Sequence, residues 1–407
     1  MTEHDPDAAP SAPGDGDAAS DGGDAPIGDG AATAGDASTG DGVSAGDADE
    51  RVATDGASAQ TTGDGARTGD PAPDDGSETA EGAGDGTNPA SPETAAATVE
   101  DAGALAESLV ENIERVIVGK HHVVEHLVTA VLGRGHVLLD DVPGVGKTML
   151  ARSVARSVGG DFRRIQFTPD LLPTDVTGVN VYDEGSQSFE FRPGPIFANV
   201  VLGDEINRAP PKTQSALLEA MEEAQVTVDG ETRSVPDPFV VIATQNAVER
   251  ERTYELPVAE VDRFAKRLGL GYPDLAEEEE VLKRVAGGHP IESVEPVATV
   301  ADLRAARATA RDVTVEAPVR SYVARLAQYT RENAALGVSP RGSIALLRAA
   351  QARAIFDRRG YVVPQDVRTE APAVLAHRVR VEPGGAVGDQ DAAALVDEAL
   401  TRVDPER

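Results

Sequence analysis

Apolar residues recur at three- and four-residue steps at Leu105, Leu109, Ile113 and Val116, and again at Val123, Val124, Leu127, Val128 and Val131 beyond Gly119. This spacing predicts two helices between Ala102 and Gly135, broken at the glycine. A short apolar run from His136 to Asp140 then leads into a glycine-rich segment, and helical spacing returns from Thr148 to Val158. The chain therefore reads strand, loop, helix. Arg163 to Thr168, Val200 to Asp204 and Phe239 to Thr244 are further strand candidates, separated by helical stretches such as Lys212 to Ala224. Alternation of this kind predicts a parallel sheet with helices on both faces. Two segments depart from it. Gly178 to Arg192 reads as a hairpin around Asp183-Glu184-Gly185, and Gln225 to Val235 as a second around Asp229-Gly230, a favoured two-residue turn. After Tyr272-Pro273-Asp274 the strand signals stop. Helical patterns over 275–287, 300–311, 318–335, 342–356, 364–379 and 390–402 predict an all-helical second unit.

Residues 1–98 follow neither period. They hold 22 acidic and two basic residues, and so 20 of the chain's 33 net negative charges, with no Leu and no Phe, Tyr or Trp. Ile27, Val43 and Val52 are their only large aliphatics, too little apolar surface to offset the entropy of ordering. The expected organisation is a disordered acidic tail over 1–98, a nucleotide-binding α/β domain over 99–273 and a helical domain over 274–407. The body retains 48 acidic and 35 basic residues, a net of −13. No Cys occurs, which removes disulfides, thiol catalysis and Cys-based metal sites. There is no basic, then apolar leader and no run of 18 apolar residues, so neither a signal peptide nor a membrane span is expected, and a cytoplasmic location is. Acid-rich, Lys-poor usage resembles the proteome of an extreme halophile, most simply an archaeon. In such a proteome an acidic surface says little about partners.

Local spacing says more about chemistry. Asp141-Val142-Pro143-Gly144-Val145-Gly146-Lys147-Thr148 sits between the first strand and its helix, where a phosphate loop must be. The loop Pro143, Gly144, Val145, Gly146, Lys147, Thr148 and Met149 can cradle phosphate, with the main-chain N–H groups that follow Pro143 facing its oxygens. The Lys147 ammonium can reach the β- and γ-phosphates of ATP, and the Thr148 hydroxyl can ligate Mg²⁺. Asp141 stands where the strict pattern has its first glycine. Some sixty residues on, an apolar strand ends in Asp204-Glu205. A carboxylate there can hold the Mg²⁺ while its neighbour deprotonates the attacking water, so Asp204 is the metal residue and Glu205 the base. The next strand ends at Asn246, which can hydrogen-bond both water and γ-phosphate.

In this order the motifs resemble the AAA+ ATPases and, within them, the MoxR family of the helix-2-insert clade. The likeness spans roughly residues 103–400. Leu138 to Thr148 is similar to the family's phosphate loop, in which an acidic residue at the first glycine position is a known variant. Arg164 to Asp175 is similar to its second strand, and Asp204-Glu205-Ile206-Asn207-Arg208-Ala209-Pro210 is the most specific match. The resemblance implies that Asp204 and Glu205 fill the Walker B roles and Asn246 that of sensor 1. Leu256 to Phe264 resembles the segment carrying an arginine finger. Arg263 would then serve the γ-phosphate of a neighbouring subunit, with Arg250, Arg252 and Arg267 nearby. Ser339-Pro340-Arg341-Gly342 is similar to sensor 2, in which Arg341 couples the position of a helical lid to nucleotide state. The two hairpins resemble the helix-2 insert and the pre-sensor 1 hairpin, which project into a ring's central pore. Two departures stand out: Ala247 follows Asn246 where Pro is usual, and Glu260-Val261-Asp262 is more acidic than the common form.

The resemblance thus implies an ATP-hydrolysing homo-hexamer that remodels or matures client proteins, with a von Willebrand factor A-type or DUF58-like partner. An MCM-like nucleic-acid motor shares the architecture. Against it, the hairpin tips bear Asp183, Glu184, Asp229 and Glu231 with Arg233 alone nearby, so no nucleic acid is expected. A binding-only nucleotide switch is disfavoured by the presence of Glu205, Asn246 and Arg263.

Overall fold

The computed structural model describes residues 96–246, 254, 256–381 and 389–406, all within one compact unit running from Gly86 to Arg407. The expected acidic tail falls almost wholly outside them, as do Ala247, Arg250 and Arg252. Two helices, α1 (Val99–Glu114) and α2 (His121–Leu132), precede the first strand as the periodicity predicts. Thr98 caps α1 by accepting a hydrogen bond from the Asp101 amide, and Gly119, with φ of +73°, supplies the turn between the helices.

Five parallel strands make the central sheet: β1 (Val137–Asp141), β2 (Phe162–Gln166), β5 (Val200–Asp204), β8 (Val240–Asn246) and β9 (Lys266–Leu268), in the order β2-β5-β8-β1-β9. Helix α3 (Lys147–Ser157) follows β1, and α5 (Pro211–Glu223) follows β5. Strict alternation along each strand divides the interior. Val137, Leu139, Val200, Leu202, Val240 and Ile242 join one core with α1, α2 and α3, whereas Leu138, Val201, Val241 and Ala243 join another with Leu217 and Leu218 of α5. Both faces are therefore covered, which is why the strands read as nearly continuous apolar runs. The hairpins are β3 (Gly178–Asp183) with β4 (Ser188–Pro193), entered through the short α4 (Pro173–Thr177), and β6 (Gln225–Val228) with β7 (Glu231–Ser234). Asp229 and Gly230 both have positive φ, as the expected two-residue turn requires.

After the one-turn α6 (Val258–Val261) and β9, the rest is helical: α7 (Leu275–Ala286), α8 (Val300–Asp312), α9 (Ala317–Asn333), α10 (Pro340–Phe356), α11 (Pro364–Leu375) and α12 (Asp389–Arg402). Strand β9 carries no apolar pattern. Its three residues are Lys-Arg-Leu, and two cations do not read as a strand. Pairing with β1 buries Lys266 completely, and Glu370 of α11 neutralises it. Arg353 of α10 donates to the other Glu370 oxygen at 2.8 Å, and His126 of α2 lies 3.1 Å from the carboxylate. Burial alone would raise the Glu370 pKa, but Lys266, His126 and Arg353 outweigh it and hold the carboxylate well below its usual range. Burial pulls Lys266 down to about 8 despite its partner. This charge network joins the sheet edge to the helical region.

Candidate functional site

The strand ends converge because the sheet is parallel. Asp141 lies opposite Asn246 and Gln166 opposite Asp204, so the phosphate loop, the acidic pair and the last residue of β8 share the carboxyl edge. The side chain of Asn246 lies outside the described residues. In the loop, Gly144 and Gly146 have φ of +86° and +97°, which other residues rarely adopt, and Gly146 caps α3. A Cβ at Gly144 would meet nothing within 4 Å, so its main chain borders open space. A cleft of about 360 Å³ is lined by Pro143, Gly144, Gly146, Lys147, Thr148, Met149, Arg164, Asp204 and Glu205. Six of the seven expected loop residues meet both acidic residues there; Val145 packs against the core instead. Lys147 Nζ donates to the main-chain oxygens of Asp141 at 3.0 Å and Gln245 at 3.4 Å.

Asp141 acquires a role that motif matching does not supply. Its carboxylate accepts from the amides of Val142 at 2.8 Å, Gly271 at 2.8 Å and Leu270. The residue replacing the first glycine thus ties the start of the phosphate loop to the chain leaving β9. The acidic pair is likewise held. Asp204 accepts from Thr244 Oγ1 at 2.7 Å and from Arg164 at 2.6 Å. Glu205 has φ of +56°, a left-handed conformation uncommon outside glycine. Its amide donates to Thr244 Oγ1 at 2.9 Å, and its carboxylate accepts from Gln166 at 2.9 Å and Arg208 at 2.7 Å. Arg164, Gln166, Arg208 and Thr244 are therefore site residues that sequence reasoning passes over. The available signal is the run of polar residues at the carboxyl end of a strand pointing toward a buried acid.

Oxygen donors are what Mg²⁺ takes, and the Thr148 hydroxyl and Asp204 carboxylate are the two such side chains on the cleft placed as the motifs require. Two protein oxygens would leave most positions of an octahedral ion to water or phosphate oxygens, as Mg²⁺ commonly has them.

The two remaining candidates are elsewhere. Arg263 and Arg341 line a separate cavity of about 170 Å³ with Arg134, His136, Glu222 and Arg348. Glu222 bridges them: Arg263 Nε lies 3.4 Å from its carboxylate, and Arg341 is paired with it. Ala265 donates to the His136 carbonyl, and Lys266 lies opposite Val137, so this cavity is at the amino edge of the sheet. Roughly 13 Å of strand separates that edge from the phosphate loop. Asp262, the unusual acid beside Arg263, accepts from Arg378 at 2.8 Å and from Ser339, the α10 cap, at 2.8 Å. It pins the arginine-bearing turn to the helical region. His136, buried here, donates from Nε2 to Met221 O and accepts at Nδ1 from the Val241 amide; burial lowers its pKa to about 4, so it is a neutral structural group.

A glycine-rich loop at the carboxyl edge of a parallel sheet, an acidic pair at the same edge two strands away and a following helical lid define a P-loop ATPase of the AAA class. Residues 136–266 match the family described as ATPase family associated with various cellular activities, and residues 326–399 match the AAA lid domain. The chain belongs to the MoxR family of these AAA ATPases. It is 42% identical to "Chaperone MoxR1" of Mycobacterium tuberculosis, over 67% of this chain and 75% of that one. It is 33% identical to "Protein MoxR" of Methylorubrum extorquens, over 67% and 86% respectively. The uncharacterized protein YeaC of Bacillus subtilis is 51% identical over 75% of this chain and 96% of its own. A crystal structure of a proposed ATPase from Cytophaga hutchinsonii aligns with a TM-score of 0.68 and 35% identity, covering 75% of this chain and 97% of that one. No helix among the described residues is long and apolar enough to cross a membrane.

Proposed function

We propose that this chain hydrolyses ATP to ADP and phosphate as a ring oligomer, most simply a homo-hexamer in the cytoplasm, and uses the cycle to remodel or mature client proteins. The observation that carries the reading is the separation of the site into two halves. Lys147, Thr148, Asp204 and Glu205 line the carboxyl-edge cleft, whereas Arg263 and Arg341 lie together at the amino edge. An arginine there cannot reach the phosphate held by its own loop, but it can serve a neighbour's. Lys147 exchanges its main-chain acceptors for β- and γ-phosphate oxygens. Glu205 takes a proton from the water that attacks the γ-phosphorus as the bridging P–O bond to the β-phosphate breaks. Mg²⁺ between Thr148 and Asp204 would neutralise phosphate charge. Arg263 of the next subunit, with Arg341 beside it, then offsets charge developing on the transferred group. Arginine fingers are worth ~10³–10⁵ in rate in related chemistry.

Hairpin chemistry supports a protein client. Tyr182 and Phe189 form an edge-to-face pair with centroids 5.3 Å apart on β3–β4 and are 49% and 71% exposed. Exposed aromatics suit apolar segments of another chain. The hairpins are linked by Asn180 Nδ2, which donates to Asp229 at 2.9 Å. Arg233 is engaged by Glu231 and stacks 3.9 Å over Phe191, so the one cation near the tips is not offered to a nucleic acid. The family expectation of a von Willebrand factor A-type or DUF58-like partner is kept within this reading. Diluting the protein through its assembly range should lower turnover per subunit steeply. A rate per subunit unchanged down to the monomer, read by coupled phosphate release, would remove the shared site.

A further inference from the structure

Helix α7 is inside out. Its capping box is complete, with Asp274 accepting from the Glu277 amide at 2.8 Å and Glu277 accepting from the Asp274 amide at 2.9 Å, yet none of its residues is buried. The side turned to the molecule is polar. Glu277 pairs with Lys120 at 2.8 Å, and Arg284 donates to the carbonyls of Glu114 and Arg115 at 2.8 and 2.9 Å. The opposite side carries Leu275, Leu282 and Val285, which are 77%, 64% and 53% exposed. Glu278 and Glu279, also exposed, flank that seam. An amphipathic helix anchored through its polar face, with its apolar stripe in water, is missing a partner. Its place in the fold is equally specific. Lys120, which also donates to Tyr272 O at 3.1 Å, follows closely on Ile117, and Ile117 lies 3.9 Å from where a Cβ on Gly146 would be. Helix α7 therefore packs on the segment around Lys120 whose Ile117 lies against the phosphate loop.

A matching surface exists at the amino edge. Arg341, Ile344, Ala345 and Arg348 share one face of α10 at the i, i+3, i+4, i+7 spacing. They line the cavity that holds Arg263, and Ile344 is 50% exposed. This is an apolar centre between cations, as the α7 face is an apolar centre between acids. We infer that the α7 face of one subunit docks on the α10 face of the next, so that Leu282 meets Ile344 while Glu278 and Glu279 meet Arg348, Arg341 being held by Glu222. The two faces differ and lie at opposite edges, so the contact is head to tail and not two-fold, the kind of contact from which a closed ring is built. It runs in the direction that delivers Arg263 to the neighbour's phosphate, and it rests on the ring reading above. Charge excludes residues 1–95 of the same chain as the occupant, because they are strongly acidic like Glu278 and Glu279.

The chain has no cysteine, so introduced pairs report without background. Leu282→Cys and Ile344→Cys in one full-length chain should, on oxidation under assembling conditions with ATP, give a ladder of disulfide-linked multimers on non-reducing gels. Each single variant should give none beyond a dimer. Assembly should also bury Leu282→Cys from maleimide, slowing its labelling about tenfold or more relative to dilute protein. Glu279→Arg and Arg348→Glu should each raise the assembly midpoint concentration about tenfold, and their combination should restore it. A mobility-shifted monomer would mean an intrachain contact and overturn the docking. Labelling equal in dilute and assembled protein would give the α7 face to another partner and overturn it too. If rings form and subunits complement one another's active sites while no ladder appears, the docking is wrong and the shared site stands. If no ring forms, both fall.

Discussion

Glu205→Gln should bind ATP as the parent chain does and hydrolyse it ~10²–10⁴ times more slowly, the range for loss of a positioned general base. The amide is isosteric and can still accept from Gln166 and Arg208, which approach the parent carboxylate at 2.9 and 2.7 Å. The left-handed backbone at this residue and its amide bond to Thr244 are untouched by the exchange. Phosphate contacts belong to Lys147 and the loop, so nucleotide affinity has no reason to fall. Equilibrium binding of a fluorescent ATP analogue beside single-turnover hydrolysis separates the two quantities. Hydrolysis at the parent rate would remove Glu205 from the mechanism.

The second large effect is on stability. Glu370→Gln leaves Lys266 and Arg353 buried beside a neutral amide, although the parent carboxylate is fully buried among Lys266, Arg353 and His126. Breaking a buried pair from one side costs ~3–5 kcal/mol, because the remaining charge stays desolvated. Lys266→Met combined with Glu370→Leu should recover part of that loss, since the buried ammonium goes with the carboxylate and Arg353 keeps its pair with Glu125. The pH dependence has a definite sign. Glu370 titrates lower in the folded chain than its ordinary 4.5, so its contribution is fully present above about pH 4.5 and is lost as acid carries the pH below it. The gap between parent and Glu370→Gln in denaturant midpoints should therefore close as the pH falls below that value. A gap near zero at pH 7 would mean that the network contributes specificity and not stability.

These two residues differ in how far the chain discloses them. Asp204 and Glu205 are legible because an apolar run ending in two acids is a local pattern, and Gly144 and Gly146 because a positive φ leaves glycine almost alone. The hairpin turn at Asp229-Gly230 is legible for the same reason. Glu370 is one Glu on a helix until β9, just over a hundred residues away in sequence, buries Lys266 against it. Arg164, Gln166 and Thr244 gather on the acidic pair only because parallel register aligns β2, β5 and β8 at one edge, and Arg208 joins them through the turn that places it three residues after Glu205. Asp141 looks like a defect in the phosphate loop by motif, whereas its carboxylate fastens that loop to Leu270 and Gly271. The family likeness assigns Arg341 to nucleotide sensing without saying whose nucleotide. Its place beside Arg263 follows from Asp262, which ties the turn that carries Arg263 to Ser339 and Arg378 of the helical region.

The claim on which the rest depends is that each ATP is hydrolysed between two subunits, with Glu205 from one and Arg263 from the next. Arg263→Ala and Glu205→Gln chains should each be nearly inactive alone. Mixed in equal amounts and allowed to exchange, they form interfaces that pair an intact Glu205 with an intact Arg263, and ATP turnover should return to roughly a quarter of the parent rate if subunits mix at random and sites act independently. A mixture no more active than its components, with exchange verified by differently labelled chains, would contradict the shared site.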